Sequence, residues 1–185
     1  MKWSEIMETA MLTEVRIHNA IRPISSLSQH IYHQNDGRKP NGFWWSIDKD
    51  WHSFVRTKHP KGKSVGSYNY EVNLPPTIKM VTLTDWNSIL QFTISFGVSL
   101  ASSGRLFWQK GDQTTYDPAQ DEDLAKINRC RVPAVDWSKV AASYDAIELP
   151  NYKKNDPNRP TVEWLDIDWD VPSGCAWNLT GVSLS

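Results

Sequence analysis

The stretch Lys39-Pro-Asn-Gly-Phe-Trp-Trp-Ser46 decides how this chain is expected to fold. A proline and a glycine two residues apart are typical of a turn, and three consecutive aromatic residues follow them. Because aromatic residues favour strands, we predict a short strand that begins at once after the turn. Side chains alternate along a strand, so Trp44 and Trp45 must lie on opposite faces of a sheet. At least one indole therefore points away from the main core, where it is either covered by a neighbouring segment or forms the wall of a pocket.

Length and composition predict a single globular domain. The chain has 185 residues, of which 39% are apolar and 22% charged, and this balance is ordinary for such a domain. We place its core at residues 13–150 and expect further strands, rich in Trp and Asp, at 160–180. The ten tryptophans are unusual, and such large side chains either fill a core or line grooves. A formal charge of -1 argues against a dedicated polyanion binder.

The cysteines and histidines do not predict a metal site. Cys130 and Cys175 belong to no metal-binding spacing. His30 and His33 lie three positions apart, but no Asp, Glu or Cys nearby completes a set of ligands. No segment is apolar over the length that a membrane span requires. We therefore expect a cytoplasmic protein that has no metal and does not act at a membrane.

An alternating pattern predicts a strand at residues 13–18. Val15 and Ile17 fall on one face, whereas Arg16 and His18 fall on the other. The basic residues either cover the outer face of a sheet or contact a ligand. For a lone strand, the first interpretation is favoured.

Several other elements follow from the spacing of apolar residues and from capping residues. We predict helices at 3–11, 48–55, 86–98 and 135–144, and strands at 68–74, 78–83 and 145–149. Residues 56–63 form a basic loop, 109–128 a polar surface insertion with a short helix, and 164–177 two or three strands. In the strand at 145–149, Ala146 and Glu148 share one face, so we expect Glu148 to point away from the residues that pack the core.

The order of these elements resembles the mono-ADP-ribosyltransferase superfamily. The resemblance covers residues 13–150 and rests on four short segments: the Arg/His strand, the Gly-aromatic-aromatic-Ser strand at 42–46, the Tyr-x-Val strand at 70–72 and the Tyr-Asp-x-Ile-Glu segment at 144–148. Proteins of that superfamily carry Arg-Ser-Glu or His-Tyr-Glu triads on three central elements. The segments found here are similar to those elements in residue type and order.

The resemblance implies an α+β fold with a split, mixed or antiparallel sheet and short helices. It also implies that NAD is the substrate, that nicotinamide is released, and that ADP-ribose passes to a macromolecular acceptor, either protein or nucleic acid. Glu148 would be the catalytic carboxylate. The residues implied to bind NAD are Arg16, His18, Trp44, Trp45, Ser46 and Tyr144. Ala146 stands where the arginine-modifying branch has Glu or Gln, so the acceptor is left open.

Three alternatives compete with this interpretation. The aromatic strand belongs only to a core, and Glu148 is paired with a nearby Lys or Arg. Alternatively, the chain is a non-catalytic inhibitor or adaptor that binds a protein through exposed tryptophans and the 109–128 insertion. The third alternative is an NAD-dependent RNA 2′-phosphotransferase, which requires Arg16, His18 and the 56–63 loop to converge.

Overall fold

A seven-stranded sheet organises the chain. The computed structural model describes residues 14–48, 50–58, 66–98, 134–154, 156, 162, 164–165 and 169–185, and it describes the strands at 107–110 and 112–115 by their backbone alone. The strands are β1 (Arg16–Ala20), β2 (Asp36–Gly37), β3 (Phe43–Ile47), β4 (Tyr68–Asn73), β5 (Met80–Thr82), β6 (Gly97–Val98), β7 (Phe107–Lys110), β8 (Asp112–Thr115), β9 (Ala134–Asp136), β10 (Ala146–Leu149), β11 (Ser173–Ala176) and β12 (Ser183–Leu184). The helices are α1 (Asp50–Lys58), α2 (Trp86–Phe96) and α3 (Trp137–Ala141).

The strand order in the main sheet is β12-β4-β1-β3-β11-β10-β5. All neighbouring pairs are antiparallel except β10 and β5, which are parallel. Strands β2, β9 and β6 form a small second sheet, and β7 and β8 form a hairpin. The fold is therefore mixed α+β with a mixed sheet and few short helices, which confirms the coarse prediction.

Most predicted elements are present within a few residues of their expected bounds. Helix α2 begins where predicted because Asp85 and Ser88 form a capping box. The Asp85 side chain accepts a hydrogen bond from the backbone N–H of Ser88, and the Ser88 hydroxyl accepts one from the backbone N–H of Asp85. Asp136 caps α3 in the same way through the backbone N–H of Lys139. The helix predicted at 3–11 lies outside the described residues. No helix in the described part of the chain is long and apolar enough to cross a membrane.

Three segments differ from their predicted structure. Within the 109–128 insertion, the described backbone pairs β7 with β8 in a hairpin where a loop with a short helix was predicted. Helix α1 continues through Lys58, so the first part of the predicted 56–63 loop is helical. The described tail residues contribute one strand before residue 178, β11, and this strand lies in the middle of the sheet instead of following the 13–150 core as an addition.

The main sheet is covered on both faces. One face packs against α2, α3 and the tail through a cluster that includes Ile147, Leu149 and Cys175. The other face carries a second cluster that includes Phe43 and Ala146. All four residues of β10 are consequently buried. Glu148 lies on the face opposite Ile147 and Leu149, as predicted. The face that it shares with Ala146 is covered as well, so Glu148 is buried.

Candidate functional site

Arg16, Trp45 and Glu148 meet on one face of the sheet although they belong to three distant segments. Arg16 Nε donates to Glu148 Oε1 at 2.6 Å, and Arg16 Nη2 donates to Oε2 at 2.9 Å. The indole Nε1 of Trp45 also donates to Glu148 Oε1, at 2.8 Å. The Glu148 carboxylate is thus held by three hydrogen bonds, two of which come from a cation in the fork geometry that favours a carboxylate.

Gly174 makes this arrangement possible. It is the Cα partner of Trp45 on β3 and of Glu148 on β10, so it lies between them on the same face. A Cβ atom at Gly174 would lie 2.4 Å from Cζ2 and 2.7 Å from Nε1 of the Trp45 indole. The indole therefore crosses β11 over a position without a side chain, and this brings its N–H to the carboxylate.

The two members of the ion pair differ in exposure. The Glu148 side chain is 4% exposed, whereas the Arg16 side chain is 29% exposed. Within the described part of the chain, Arg16 Nη1 makes no hydrogen bond. The carboxylate is covered, and a ligand on this face would reach the guanidinium before it reached Glu148.

His18 packs beside this cluster. Its ring stacks on Phe43 with ring centroids 4.1 Å apart, and its Nδ1 lies 2.7 Å from the carbonyl oxygen of Trp44. Burial lowers the pKa of His18, and the hydrogen bond to Trp44 only partly opposes this effect. The neutral imidazole is therefore favoured, with Nδ1 as the donor to the carbonyl.

An aromatic cleft lies at the other face of the sheet. Its walls include the indoles of Trp44, Trp51 and Trp169, and its volume is about 320 Å³. Trp44 and Trp169 meet edge to face with centroids 5.0 Å apart. The side chains of Trp44 and Ser46 belong to this face, because Trp44 pairs with the inward-facing Cys175 and Ser46 pairs with Ser173. We call this site the tryptophan cleft.

Charged groups of both signs border the tryptophan cleft. Lys39 Nζ lies over the Trp44 ring, 4.9 Å from its centroid. Asp170 Oδ1 accepts a hydrogen bond from Lys154 Nζ at 2.6 Å, and the Asp170 side chain is 27% exposed. The buried indole N–H of Trp169 has no hydrogen-bond acceptor in the described part of the chain. The cleft thus combines flat apolar surfaces with a cation and an accessible carboxylate.

A wider and more open groove adjoins the cleft, and Asp170 and Val171 belong to the walls of both. Its other walls come from α1 and from the segment after β10, and they carry Lys58, Lys153 and Lys154. Lysines act as point charges toward phosphate. We call this surface the lysine groove.

The structure brings together some of the predicted site residues and separates others. The side chains of Trp44 and Ser46 lie on the face of the tryptophan cleft. Trp45 and His18 also belong to its border, but their rings contact Glu148 and Phe43 on the opposite face. Arg16 and Glu148 instead pair on the opposite face. Tyr144 lies away from both places.

The position of Tyr144 is defined by two contacts. Its carbonyl accepts a hydrogen bond from Trp177 Nε1 at 2.7 Å. Its ring packs edge to face with Phe96. Tyr144 is therefore part of the packing around the α2 and α3 side of the core, and it does not line the tryptophan cleft.

Lys39, Trp169 and Asp170 were not predicted as site residues. Lys39 stands at the start of the stretch that defines β3, and the other two end the Trp- and Asp-rich run of the tail. The concentration of Trp and Asp in that run is the one sequence signal that pointed toward a site. The residues that this run contacts could not be predicted, because the run lies beside the cleft only as a result of the pairing of β11 with β3.

The described side chains include no group of three His, Cys, Asp or Glu residues that could hold a metal ion. No protein-family model, curated protein or solved structure matches the chain.

Proposed function

We propose that the chain binds NAD in the tryptophan cleft and acts as a mono-ADP-ribosyltransferase, releasing nicotinamide and passing ADP-ribose to a macromolecular acceptor, either protein or nucleic acid. The observation that carries the proposal is the convergence of Trp44, Trp51 and Trp169 on one cleft that also presents a carboxylate. Residues from the resemblance described above, among them Trp44 and Ser46, border this same cleft.

The shape and chemistry of the cleft suit the nicotinamide end of NAD. The nicotinamide ring is planar and positively charged, and indole faces bind both planar rings and cations. A volume of about 320 Å³ is at the lower end for a ligand pocket, so it suits one end of a dinucleotide. The lysine groove next to it offers Lys58 and Lys153 to the diphosphate.

The reaction itself needs little covalent chemistry from the protein. The bond between C1′ of the ribose and the nicotinamide nitrogen breaks, and its electron pair stays on nicotinamide, which leaves as a neutral molecule. An acceptor nucleophile then bonds to C1′ and loses its proton. A fixed carboxylate near C1′ stabilises the positive charge that develops on the ribose, and this electrostatic effect is usually the largest in catalysis.

The catalytic role of Glu148 stays a prediction. Its carboxylate is 4% exposed and already accepts three hydrogen bonds, and its side chain lies on the face opposite the Trp44 indole. The sheet therefore separates Glu148 from a ligand in the tryptophan cleft, and the carboxylate that borders the cleft is that of Asp170. A variant at Glu148 is therefore a necessary arm of the functional test.

The adaptor hypothesis required exposed tryptophans. Every tryptophan whose side chain the structure describes is buried or half-buried. This observation favours a ligand site over a surface of exposed indoles. For the phosphotransferase alternative, the Arg16 guanidinium is engaged by Glu148, and part of the 56–63 loop lies outside the described residues.

The test measures nicotinamide release from NAD by the purified protein, with and without cell lysate as the source of acceptor. We expect release by the parent and a large loss in Trp44→Leu. Phe96→Leu removes a half-buried ring away from the cleft and serves as the control, with thermal melts to verify folding. Glu148→Gln, assayed in parallel at a temperature where its thermal melt shows it to be folded, tests whether that carboxylate takes part.

Two outcomes would contradict the proposal. If the parent neither binds NAD in calorimetry nor cleaves it with lysate present, the transferase proposal is wrong. If it binds NAD through Trp44 but never cleaves it, the chain is a non-catalytic NAD-binding protein. Removal of a 2′-phosphate from RNA, measured on the same preparations, would instead support the phosphotransferase alternative.

A further inference from the structure

We infer that Asp170 is the carboxylate that contacts the ribose next to nicotinamide, and that it performs the catalytic role which the resemblance implies for Glu148. The inference rests on the proposed function, because it takes the ring to lie in the tryptophan cleft and the diphosphate in the lysine groove. It adds the residue that meets the sugar between them.

Two residues, Asp170 and Val171, belong to the walls of both the tryptophan cleft and the lysine groove. In NAD, C1′ of this ribose bears the nicotinamide ring, and C5′ leads to the diphosphate. A ring in the cleft and a diphosphate in the groove therefore place the ribose at the boundary that these two residues form. Val171 is apolar and 9% exposed, so Asp170 is the shared residue that can bind a hydroxyl group or a positive charge.

The other carboxylates near the two sites are less well placed. Among the residues described in the cleft walls, Asp170 alone carries a carboxylate. Asp50 and Asp156 line the lysine groove but not the cleft. Glu148 is 4% exposed and is paired with Arg16 on the opposite face of the sheet. Access therefore favours Asp170 as the carboxylate at the ribose and leaves Glu148 as a structural residue.

Lys154 holds the Asp170 carboxylate in place and leaves part of it accessible. Lys154 Nζ donates to Asp170 Oδ1 at 2.6 Å, and the Asp170 side chain is 27% exposed. Asp170 Oδ2 accepts no hydrogen bond from the residues that the structure describes. One oxygen is thus fixed by a cation, and the other can accept a hydrogen bond from a ribose hydroxyl.

A carboxylate at this position suits the reaction at C1′. As the bond from C1′ to the nicotinamide nitrogen breaks, its electron pair stays on nicotinamide and positive charge develops on the ribose. A fixed carboxylate beside the ribose stabilises this charge, and its hydrogen bond to the 2′-hydroxyl orients the sugar. Asp170 forms no covalent bond, and the proton that the acceptor nucleophile loses passes to solvent.

The contact with ribose can be measured without cleavage of NAD. Nicotinamide riboside and N-methylnicotinamide carry the same ring with the same charge, but only the riboside has the sugar. We expect the parent to bind the riboside roughly tenfold more tightly, as for a hydrogen bond to a charged group, in NMR titrations of the indole N–H signals. Asp170→Ala should bring this ratio close to one. Asp36→Ala, which removes an exposed carboxylate elsewhere, should leave it unchanged.

Nicotinamide release from NAD tests the catalytic role. In Asp170→Asn, we expect kcat to fall roughly a hundredfold. KM should change little, because the amide oxygen of Asn still accepts the hydroxyl and the lost interaction acts mainly in the transition state. Lys154→Met breaks the same ion pair but keeps the carboxylate, so its kcat should fall much less. Glu148→Gln, assayed where its melt shows it to be folded, should also lose less than Asp170→Asn.

Two results would overturn the inference: a parent that binds the riboside no more tightly than N-methylnicotinamide, and an Asp170→Asn variant that releases nicotinamide at the parental rate. In the second case the proposed function stands, and another group stabilises the ribose. If the riboside preference depends on Asp170 but the parent does not cleave NAD, the transferase proposal fails and the contact between Asp170 and the ribose stands.

Discussion

The Arg16 guanidinium and the Glu148 carboxylate form a two-point ion pair although 132 positions separate them in the sequence. They belong to β1 and β10, and β3 and β11 lie between these strands. Trp45, on β3, completes the contact by donating to the same carboxylate. The ion pair therefore links β1 to β10 across two intervening strands. We expect it to contribute substantially to the free energy of unfolding.

Glu148→Gln should lower the free energy of unfolding by about 2 to 3 kcal/mol. Removing one partner of a buried ion pair leaves the other charge buried and unpaired, which costs about 3 to 5 kcal/mol when both partners are fully buried. The Arg16 side chain is 29% exposed and can be hydrated in part, so we expect the lower figure, near that of hydrogen bonds to charged groups. Urea denaturation monitored by circular dichroism measures the difference.

A double-mutant cycle with Arg16→Met separates the pair from other effects of the substitutions. We expect a coupling energy above about 1 kcal/mol, because contacting charged residues in one network are not additive. Arg16→Lys keeps the charge but loses the fork, and it should recover only part of the stability. A coupling energy close to zero would show that the pair does not stabilise the fold.

Gly174→Ala should destabilise the protein by about 2 kcal/mol or more. A methyl group there would lie 2.4 Å from the Trp45 indole, and overpacking of a core typically costs about 1 to 3 kcal/mol. Trp45 is 2% exposed, so other groups pack around its indole. Displacing it would also break its hydrogen bond to Glu148. Thermal and urea unfolding both report the change.

Gly37→Ala is the matched control for this substitution. Gly37 also lies in a strand, but the nearest atom to an added Cβ is 3.6 Å away, an ordinary contact. We expect a change of less than about 0.5 kcal/mol, as for surface substitutions. Equal effects at the two positions would show that the fit of Trp45 over β11 is not what requires a glycine.

Local patterns predicted the elements well because their causes are local. The alternation in β1 and the turn before β3 specify strands wherever they pair, and Asp85 and Asp136 cap helices through neighbouring backbone groups. The position of β11 could not be predicted. The segment Ser173–Ala176 is short, and its place between β3 and β10 is decided by long-range pairing.

The candidate site was predicted only in part for the same reason. The resemblance implied one site for Arg16, Trp44, Trp45, Ser46 and Glu148. The structure joins Arg16, Trp45 and Glu148, whereas Trp44 and Ser46 lie on the opposite face. Which faces of β3 and β10 are covered depends on segments that pack from elsewhere in the chain. The other walls of the tryptophan cleft come from α1 and from the tail. Lys39 and Asp170 belong to no motif, so only the fold identifies them.

Stability should fall as the pH is lowered below the ordinary pKa of histidine because of His18. Burial lowers the folded-state pKa of His18 below its ordinary value of 6.5. The unfolded chain therefore binds a proton at a higher pH than the folded chain does. The stability contribution is complete above the unfolded pKa and is lost as the pH falls through the folded pKa. Urea unfolding at several values from pH 8 to 5 tests this expectation.

The control for this pH dependence is His18→Gln, which keeps a donor for the Trp44 carbonyl but does not titrate. The decline in stability of this variant over the same range should be smaller than that of the parent. His33→Gln, at an exposed position, should behave like the parent. If the parent and His18→Gln lose stability equally, other groups cause the acid sensitivity.

Cys175 should be unreactive in the folded protein. The thiolate is the nucleophile in alkylation, and burial raises the pKa of Cys175 well above its ordinary value of 9.0, with nearby Lys39 opposing this effect only in part. The side chain is also 0% exposed.

In a Cys130→Ser background at pH 8, iodoacetamide should modify Cys175 roughly a hundredfold more slowly in buffer than in denaturant, because reaction requires opening of the sheet. Mass spectrometry of quenched samples measures both rates, and comparable rates would show that β11 opens readily and that the centre of the sheet is less stable than its packing indicates.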